Sequence, residues 1–213
     1  MSFEVSTYED LKKVGTGIDG WTLDADYIQT ADINASASKT ENPDGSGGYY
    51  GFEPIGTNTN KFTGIYDGQG HTISNLYINR PATDYIGLFG AINGEVSNLG
   101  LVDADITGDS RVGGLCGYNS DTGTITNCYW DIGTSGQATS AGGEGRTTDE
   151  MTYPHAENTY VGWNFSNIWK EDNAYYWNNG YPVLLVFIDK YIITKSATNI
   201  TRNSAILQGK VVL

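Results

Sequence analysis

The stretch that decides the fold runs from residue 86 to residue 130 and reads IGLFGAINGEVSNLGLVDADITGDSRVGGLCGYNSDTGTITNCYW. Two short motifs recur within it. GLFG at 87–90 returns as GLCG at 114–117, and VSNL at 96–99 returns as ITNC at 125–128. Short alternating apolar segments that repeat every 20 to 30 residues are typical of a solenoid, in which each repeat adds one coil.

An earlier copy of the second motif, ISNL, occupies residues 73–76. Side chains at equivalent places in successive coils are expected to stack in ladders. The two expected interior ladders are Ile73, Val96 and Ile125, and Leu76, Leu99 and Cys128. The expected corner ladder is Asn75, Asn98 and Asn127. Asparagine amides hydrogen-bond along such a stack, and the residue tolerates left-handed backbone.

The repeated glycines and the two cysteines also belong to these motifs. We expect Gly87, Gly90, Gly114 and Gly117 to lie where the chain turns and a Cβ atom would clash. Cys116 stands where the neighbouring copy has a phenylalanine, and Cys128 where it has a leucine. The favoured interpretation is buried apolar filling, and a disulfide between the two stays open.

The remaining chain supplies caps and a second unit. Capping boxes at 6–9 and 147–150 predict short helices, and the aromatic-rich segment before residue 187 predicts an end cap. The sequence therefore predicts a mainly all-β fold, a short parallel β-helix of about four coils with small helical caps. We assign 1–187 to this domain and 188–213 to a linker and the first strand of another β domain.

Charge excludes some classes of partner. The 213 residues include 12 Lys and Arg against 25 Asp and Glu, which gives a net charge of −13. We expect no nucleic-acid partner, because binding requires neutralisation of phosphates. We also expect no membrane span in this segment, since the longest apolar run, 182–188, is far shorter than a bilayer requires.

Together, the GL-x-G and [VI]-[ST]-N units resemble the GLUG motif. The lead-in at 62–73 and the segment at 162–182 are similar to parts of the same family's domains. The resemblance implies a right-handed β-helix in large secreted or cell-surface proteins of bacteria and archaea, including adhesins, with no catalytic residues in the motif. The tail at 197–209 resembles the opening strand of a fibronectin type III domain, which implies a truncated β-sandwich over 188–213.

Two groups of residues are candidates for ligand binding. Asp103, Asp105 and Asp109 offer hard oxygen ligands and predict a calcium ion as a cofactor; the alternative is a solvated acidic corner. In the aromatic segment, Tyr175, Tyr176 and Trp177 are candidates for stacking on glycans. The alternative there is that the aromatic side chains form the core of a cap.

We interpret the chain as a non-catalytic extracellular or cell-surface module that acts in adhesion, display or spacing. Its expected partners are surface glycans, other surface proteins, or neighbouring domains of a longer chain or polymer. One alternative is a carbohydrate-binding or polysaccharide-degrading β-helix, with Glu95, Asp103 and Asp105 as candidate carboxylates. Another is a filament subunit whose C-terminal strand, 204–213, completes a neighbour's sheet.

Overall fold

The computed structural model describes residues 2–166, 169–172, 180–184, 198–201 and 204–206. Within them the chain is mainly β with few short helices. The strands are β1 (Phe3–Val5), β2 (Asp26–Gln29), β3 (Ile33–Asn34), β4 (Ile65–Asp67), β5 (Thr72–Ser74), β6 (Tyr77–Asn79), β7 (Phe89–Ile92), β8 (Glu95–Ser97), β9 (Gly100–Val102), β10 (Asp105–Thr107), β11 (Cys116–Asn119), β12 (Thr124–Thr126), β13 (Tyr129–Asp131), β14 (Glu144–Arg146), β15 (Trp169–Lys170), β16 (Val183–Leu184), β17 (Thr198–Thr201) and β18 (Ser204–Ile206). The α-helices are α1 (Tyr8–Lys13), α2 (Ile132–Ser135) and α3 (Thr148–Met151), and two 3-10 turns span Ile18–Gly20 and Ser36–Thr40.

Five parallel strands in the order β1-β2-β4-β8-β12 make the first sheet. Side chains alternate between its two faces, as strand geometry requires. Tyr27, Tyr66 and Val96 occupy one aligned row and are fully buried. On the opposite face, Ile65 and Glu95 form part of an exposed row. The first sheet is therefore half buried and half solvated.

The second sheet has the order β3-β5-β9-β13-β14 and is also parallel throughout. Its inner row is Ile33, Ile73, Leu101 and Trp130, all in the main hydrophobic core. The sequence alignment was wrong for Ile73, which pairs with Leu101 and not with Val96. The three copies of the motif have similar sequences, but they begin on different sheets. The copy at 73–76 begins on β5 in the second sheet, whereas the copies at 96–99 and 125–128 begin on β8 and β12 in the first sheet.

Two smaller parallel pairs, β6 with β10 and β7 with β11, complete the arrangement. The chain runs through β4, β5 and β6, then through β7 to β10, then through β11 to β13. Each passage adds one strand to the same sheets, directly beside the strand of the preceding passage. The main core lies between the inner faces of these sheets.

The N-cap of helix α1 is Thr7, one residue later than the capping box at 6–9 suggested. The Thr7 side chain accepts a hydrogen bond from the Asp10 amide, and the Asp10 carboxylate accepts one from the Thr7 amide. Leu11 of this helix is buried in the main core. The second predicted capping box, Thr147 with Glu150, opens α3.

The outer face of the second sheet is covered by a separate cluster. Its members are Val102, Tyr129, Met151, Tyr160, Trp163, Trp169 and Tyr181. Trp163 lies against Gly100, where a Cβ atom would come within 3.1 Å of the indole ring. The aromatic segment was expected to close an end of the stack, but its described residues pack on the side of this sheet.

The last described residues form two paired strands. Thr198–Thr201 pairs antiparallel with Ser204–Ile206. The predicted domain division at residue 187 and the truncated β-sandwich stay predictions, because most of 188–213 lies outside the described residues.

Candidate functional site

The asparagine corner contains two of the three predicted members. Asn98 and Asn127 have left-handed φ values of 53° and 51°. The Asn127 Nδ2 atom donates to Asn98 Oδ1 at 3.2 Å, and Asn98 Nδ2 donates to Asp67 Oδ1 at 3.0 Å. Asn75 is at another corner, where its backbone N–H donates a hydrogen bond to the Val102 carbonyl. The predicted three-residue ladder was therefore wrong for Asn75.

The four motif glycines are needed for close packing between passages of the chain. A Cβ atom on Gly114 would lie 2.0 Å from the Trp130 ring, and one on Gly90 would lie 2.4 Å from the Gly56 carbonyl oxygen. A Cβ atom on Gly117 would lie 2.6 Å from the Arg111 carbonyl oxygen. Gly87 is the least crowded of the four, because a Cβ atom there would lie 3.0 Å from its nearest neighbour. None of the four has a positive φ, so close approach, not left-handed backbone, excludes larger residues. The prediction that all four lie at turns was wrong for Gly90 and Gly117, which lie within strands β7 and β11.

Both cysteines are buried and free. Cys116 and Cys128 are at most 1% exposed and belong to the main core. Burial raises the pKa of each thiol to about 12. Cys116 and Cys128 therefore form no disulfide in this structure, and their burial fits the interpretation as apolar filling of the core.

The structure spreads the predicted carboxylates along one flank. Asp103 is half buried at a corner, Asp105 is exposed in β10, and Asp109 is exposed in the loop that follows. In the described part of the chain, no three His, Cys, Asp or Glu residues group so as to hold a metal ion. The calcium prediction gains no geometric support. Glu95, the other candidate carboxylate, is on the first sheet, away from β10 in the strand order.

The predicted stacking residues Tyr175, Tyr176 and Trp177 lie outside the described residues. Their neighbours Trp163 and Trp169 are 8% and 1% exposed, with ring centroids 4.7 Å apart. A cleft of about 190 Å³ opens beside them, and its lining residues are Gln69, Gly70, Asn98, Gly162, Trp163, Asn164 and Trp169. Because both indoles are almost wholly buried, this cleft offers little ring surface to a ligand.

A second surface joins two tyrosines with two cations. The rings of Tyr85 and Tyr118 meet edge to face at 6.0 Å. The Arg111 guanidinium lies 4.9 Å from the Tyr85 ring centroid and donates to the Tyr85 hydroxyl at 2.9 Å. Lys61 Nζ lies 5.9 Å from the Tyr118 ring centroid. We call these four residues the tyrosine patch.

The tyrosine patch is built on two successive passages of the chain. Tyr85 and Arg111 both have left-handed backbone, with φ of 62° and 52°. The Tyr85 amide donates to the Ser110 carbonyl and the Ile86 amide to the Arg111 carbonyl, so the two residues occupy matching corners. Sequence reasoning missed this patch, because Tyr85 and Arg111 are unlike in type. Their one signal is that each shortly precedes a GL-x-G motif.

Beside the patch runs a groove of about 180 Å³. Tyr85 forms part of its wall, and hydroxyl and amide groups come from Thr57, Asn58 and Thr83. Arg80 also lines it and is paired with Glu53. A second carboxylate of the lining, Asp84, accepts hydrogen bonds from the Ser110 amide and hydroxyl.

Comparisons with known proteins support the motif. The family model described as the GLUG motif matches residues 108–130. A 131-residue match, 39% identical and covering 59% of this chain, is to halomucin from Haloquadratum walsbyi. An 88-residue match, 46% identical and covering 39% of this chain, is to a protein described as a Gly-rich membrane protein from Evansella cellulosilytica. No solved structure matches.

These matches are short stretches of the relatives. The chain covers 1% of the length of halomucin and 10% of the Evansella protein. The predicted GLUG resemblance is confirmed at 108–130, whereas no comparison tests the fibronectin type III likeness of the tail. No helix among the described residues has both the length and the apolar character that crossing a bilayer would require.

Proposed function

We propose that this chain is a non-catalytic module of an extracellular or cell-surface protein and acts in adhesion, display or spacing. The module is built as a short right-handed parallel β-helix. The observation that carries the proposal is the strand order of the two main sheets. Successive passages of the chain add neighbouring parallel strands to both. Stacked passages of this kind bury one continuous core and make a stiff unit.

The handedness follows from general strand physics. Connections between parallel strands of one sheet are right-handed in about 98% of cases, because of the intrinsic twist of L-peptide strands. Every neighbouring pair in the two five-stranded sheets is parallel. A right-handed path is therefore the expected course of the chain.

The surface location is supported by the relatives and by charge. One relative is named halomucin and the other is described as a Gly-rich membrane protein, and this chain corresponds to a small part of each. A net charge of −13 favours solubility and discourages contact with anionic surfaces. A small soluble unit inside a long chain suits a spacing or displaying role, with neighbouring domains of the same polymer as partners.

The fold can be tested by cross-linking two neighbouring strands of the first sheet. Glu95 and Thr124 are paired in register, and parallel neighbours lie about 4.8 Å apart, within disulfide range. We expect the double variant Glu95→Cys with Thr124→Cys to form a disulfide in the folded full chain. The matched control is Ile65→Cys with Thr124→Cys, two strands apart, and should stay reduced. Equal cross-linking of both pairs would contradict the register.

The location and lack of catalysis are tested separately. Antibody against the full chain should label intact cells of the source organism as strongly as permeabilised ones. Incubation of the purified chain with a panel of polysaccharides should release no new reducing ends. Labelling that requires permeabilisation would overturn the surface location, and release of reducing ends that a heat-inactivated sample does not show would overturn the non-catalytic role.

A further inference from the structure

We propose that the tyrosine patch and its adjoining groove bind an acidic glycan, a chain of sugars that carries carboxylate or sulfate groups. The inference goes beyond the spacing role and does not depend on it. It assigns ligand binding to Lys61, Tyr85, Arg111 and Tyr118, away from the aromatic segment in which the sequence suggested stacking.

The first argument is charge. Basic residues are outnumbered by acidic ones 12 to 25. Among the described residues, Lys12, Arg80 and Arg146 are each paired with a glutamate. The described cations without such an ion pair are Lys13, Lys39, Lys61, Arg111 and Lys170, and of these only Lys61 and Arg111 share one aromatic pair. Two cations that no carboxylate neutralises, held beside the same aromatic pair, offer a local site for anionic groups.

The second argument is the construction of the patch. Left-handed backbone is unfavourable for a residue with a Cβ atom, and the patch uses it at both Tyr85 and Arg111. Matching corners bring these two side chains into contact across successive passages, and the edge-to-face contact adds Tyr118. The four side chains therefore form one continuous surface instead of scattered exposed groups.

The third argument is the chemistry of the groove. Tyr85 belongs both to the patch and to the groove wall, where Thr57, Asn58 and Thr83 supply hydroxyl and amide groups. Sugars present C–H groups on the faces of their rings and hydroxyls around the rim. An aromatic wall beside small polar side chains matches both features, while Arg111 and Lys61 are placed for the acidic substituents.

The spacing of charge favours a glycan over a nucleic acid. Duplex DNA carries one charge per ~1.7 Å, and its binding requires many cations. An acidic glycan carries about one charge per one or two sugars, which suits two cations separated by a tyrosine pair. Screening at physiological salt confines electrostatic interactions to roughly 8 Å, so Arg111 and Lys61 act on the ligand more strongly than carboxylates elsewhere on the surface do. Of the two carboxylates in the groove itself, Glu53 is paired with Arg80, and Asp84 accepts hydrogen bonds from Ser110.

The test is a calorimetric titration of the full chain with tetragalacturonate, and with its methyl ester as the uncharged analogue. We expect binding to the acid, weaker binding at higher salt, and at least a tenfold loss of affinity for the ester. The variants Arg111→Gln and Tyr118→Ala should each lose about tenfold or more in affinity. The matched control is Lys13→Gln, because Lys13 also lies over an aromatic ring, that of Trp21, and it should bind within twofold of the unchanged chain.

The variants must first show an unchanged near-ultraviolet circular dichroism spectrum. Arg111→Lys, which retains the charge, should recover part of the affinity and serves where Arg111→Gln fails to fold. Equal affinity for acid and ester, equal losses in Arg111→Gln and Lys13→Gln, or no binding at all would overturn the proposal. Tighter binding of polyglutamate than of tetragalacturonate would also overturn it, since the patch would then select acidic peptides. None of these results bears on the spacing role.

Discussion

The two five-stranded sheets have the same parallel pairing, yet only one of them is covered on both faces. In the first sheet the outer row, which includes Ile65 and Glu95, faces solvent. In the second sheet the outer positions Gly100, Val102 and Tyr129 are buried beneath the aromatic cluster. The same kind of strand therefore has two different environments in one molecule.

The difference shows what a repeat motif can and cannot specify. Alternation of apolar and polar residues specifies an inner and an outer face, as in the first sheet. Strands β9 and β13 have all three residues buried, which is the pattern of strands with both faces covered. That second covering comes from the non-repeated segment after residue 147, so stability there is expected to depend on contacts that the repeat does not encode.

The largest expected effect comes from truncation of the covered face. Tyr129 is 1% exposed, and its hydroxyl accepts a hydrogen bond from the Val161 amide. Tyr129→Ala should lower the free energy of unfolding by ~3–5 kcal/mol, measured by urea denaturation. Ile65→Ala, on the open face of the first sheet where Ile65 is 42% exposed, should cost about 1 kcal/mol or less. Similar losses would mean that the aromatic cluster contributes little stability.

A smaller effect is expected at a buried carboxylate that links the second sheet to its cover. Asp131 is fully buried, and it accepts hydrogen bonds from the Gly133 amide, the Thr148 hydroxyl and the Tyr181 hydroxyl. Asp131→Asn replaces an acceptor by a donor and should cost ~1–3 kcal/mol in the same assay. Asp67→Asn, in a half-buried corner of the first sheet, should cost less. A larger loss at Asp67 would reverse the proposed difference between the sheets.

The asparagine corner should show a still smaller effect. Asn127→Ala removes the hydrogen bond to Asn98 and places alanine in left-handed backbone, at an expected cost of about 1–2 kcal/mol. Asn127→Gly loses the same hydrogen bond but relieves the backbone cost, so it should be closer in stability to the unchanged chain. If the glycine variant is the less stable of the two, the left-handed backbone at residue 127 imposes no net cost on alanine, which contradicts the prediction.

The smallest stability change is expected at the interior thiols, whose test is reactivity. Burial raises the pKa of Cys116 and Cys128 to about 12, above the roughly 8.5 of a free thiol. At pH 8 the folded chain should therefore react with iodoacetamide far more slowly than the urea-unfolded chain. Because the folded thiols retain protons that the unfolded chain releases, stability should fall as pH rises from about 9 to 12. Equal alkylation rates at pH 8 would show that the core is open to solvent.

Several of the sequence predictions depended only on local chemistry. The capping box at Thr147 and Glu150 is present, because its hydrogen bonds join residues three apart. The Val96 and Ile125 pair is in register, since both motif copies begin at the same point of their passages. By contrast, Asn75 and Ile73 were assigned to the wrong ladders. Similarity between motif copies does not show which of several similar corners each copy occupies.

The sequence by itself determined the mainly β class, the use of glycine in the GL-x-G units, and the burial of the cysteines. These follow from residue size and alternation, which act between near neighbours or between copies of one repeat. Only the tertiary structure decided which passage each copy joins, that the aromatic segment covers the side of the second sheet, and that Tyr85 meets Arg111 and Tyr118. Those contacts join residues far apart in the chain and of unlike type, and no periodicity records them.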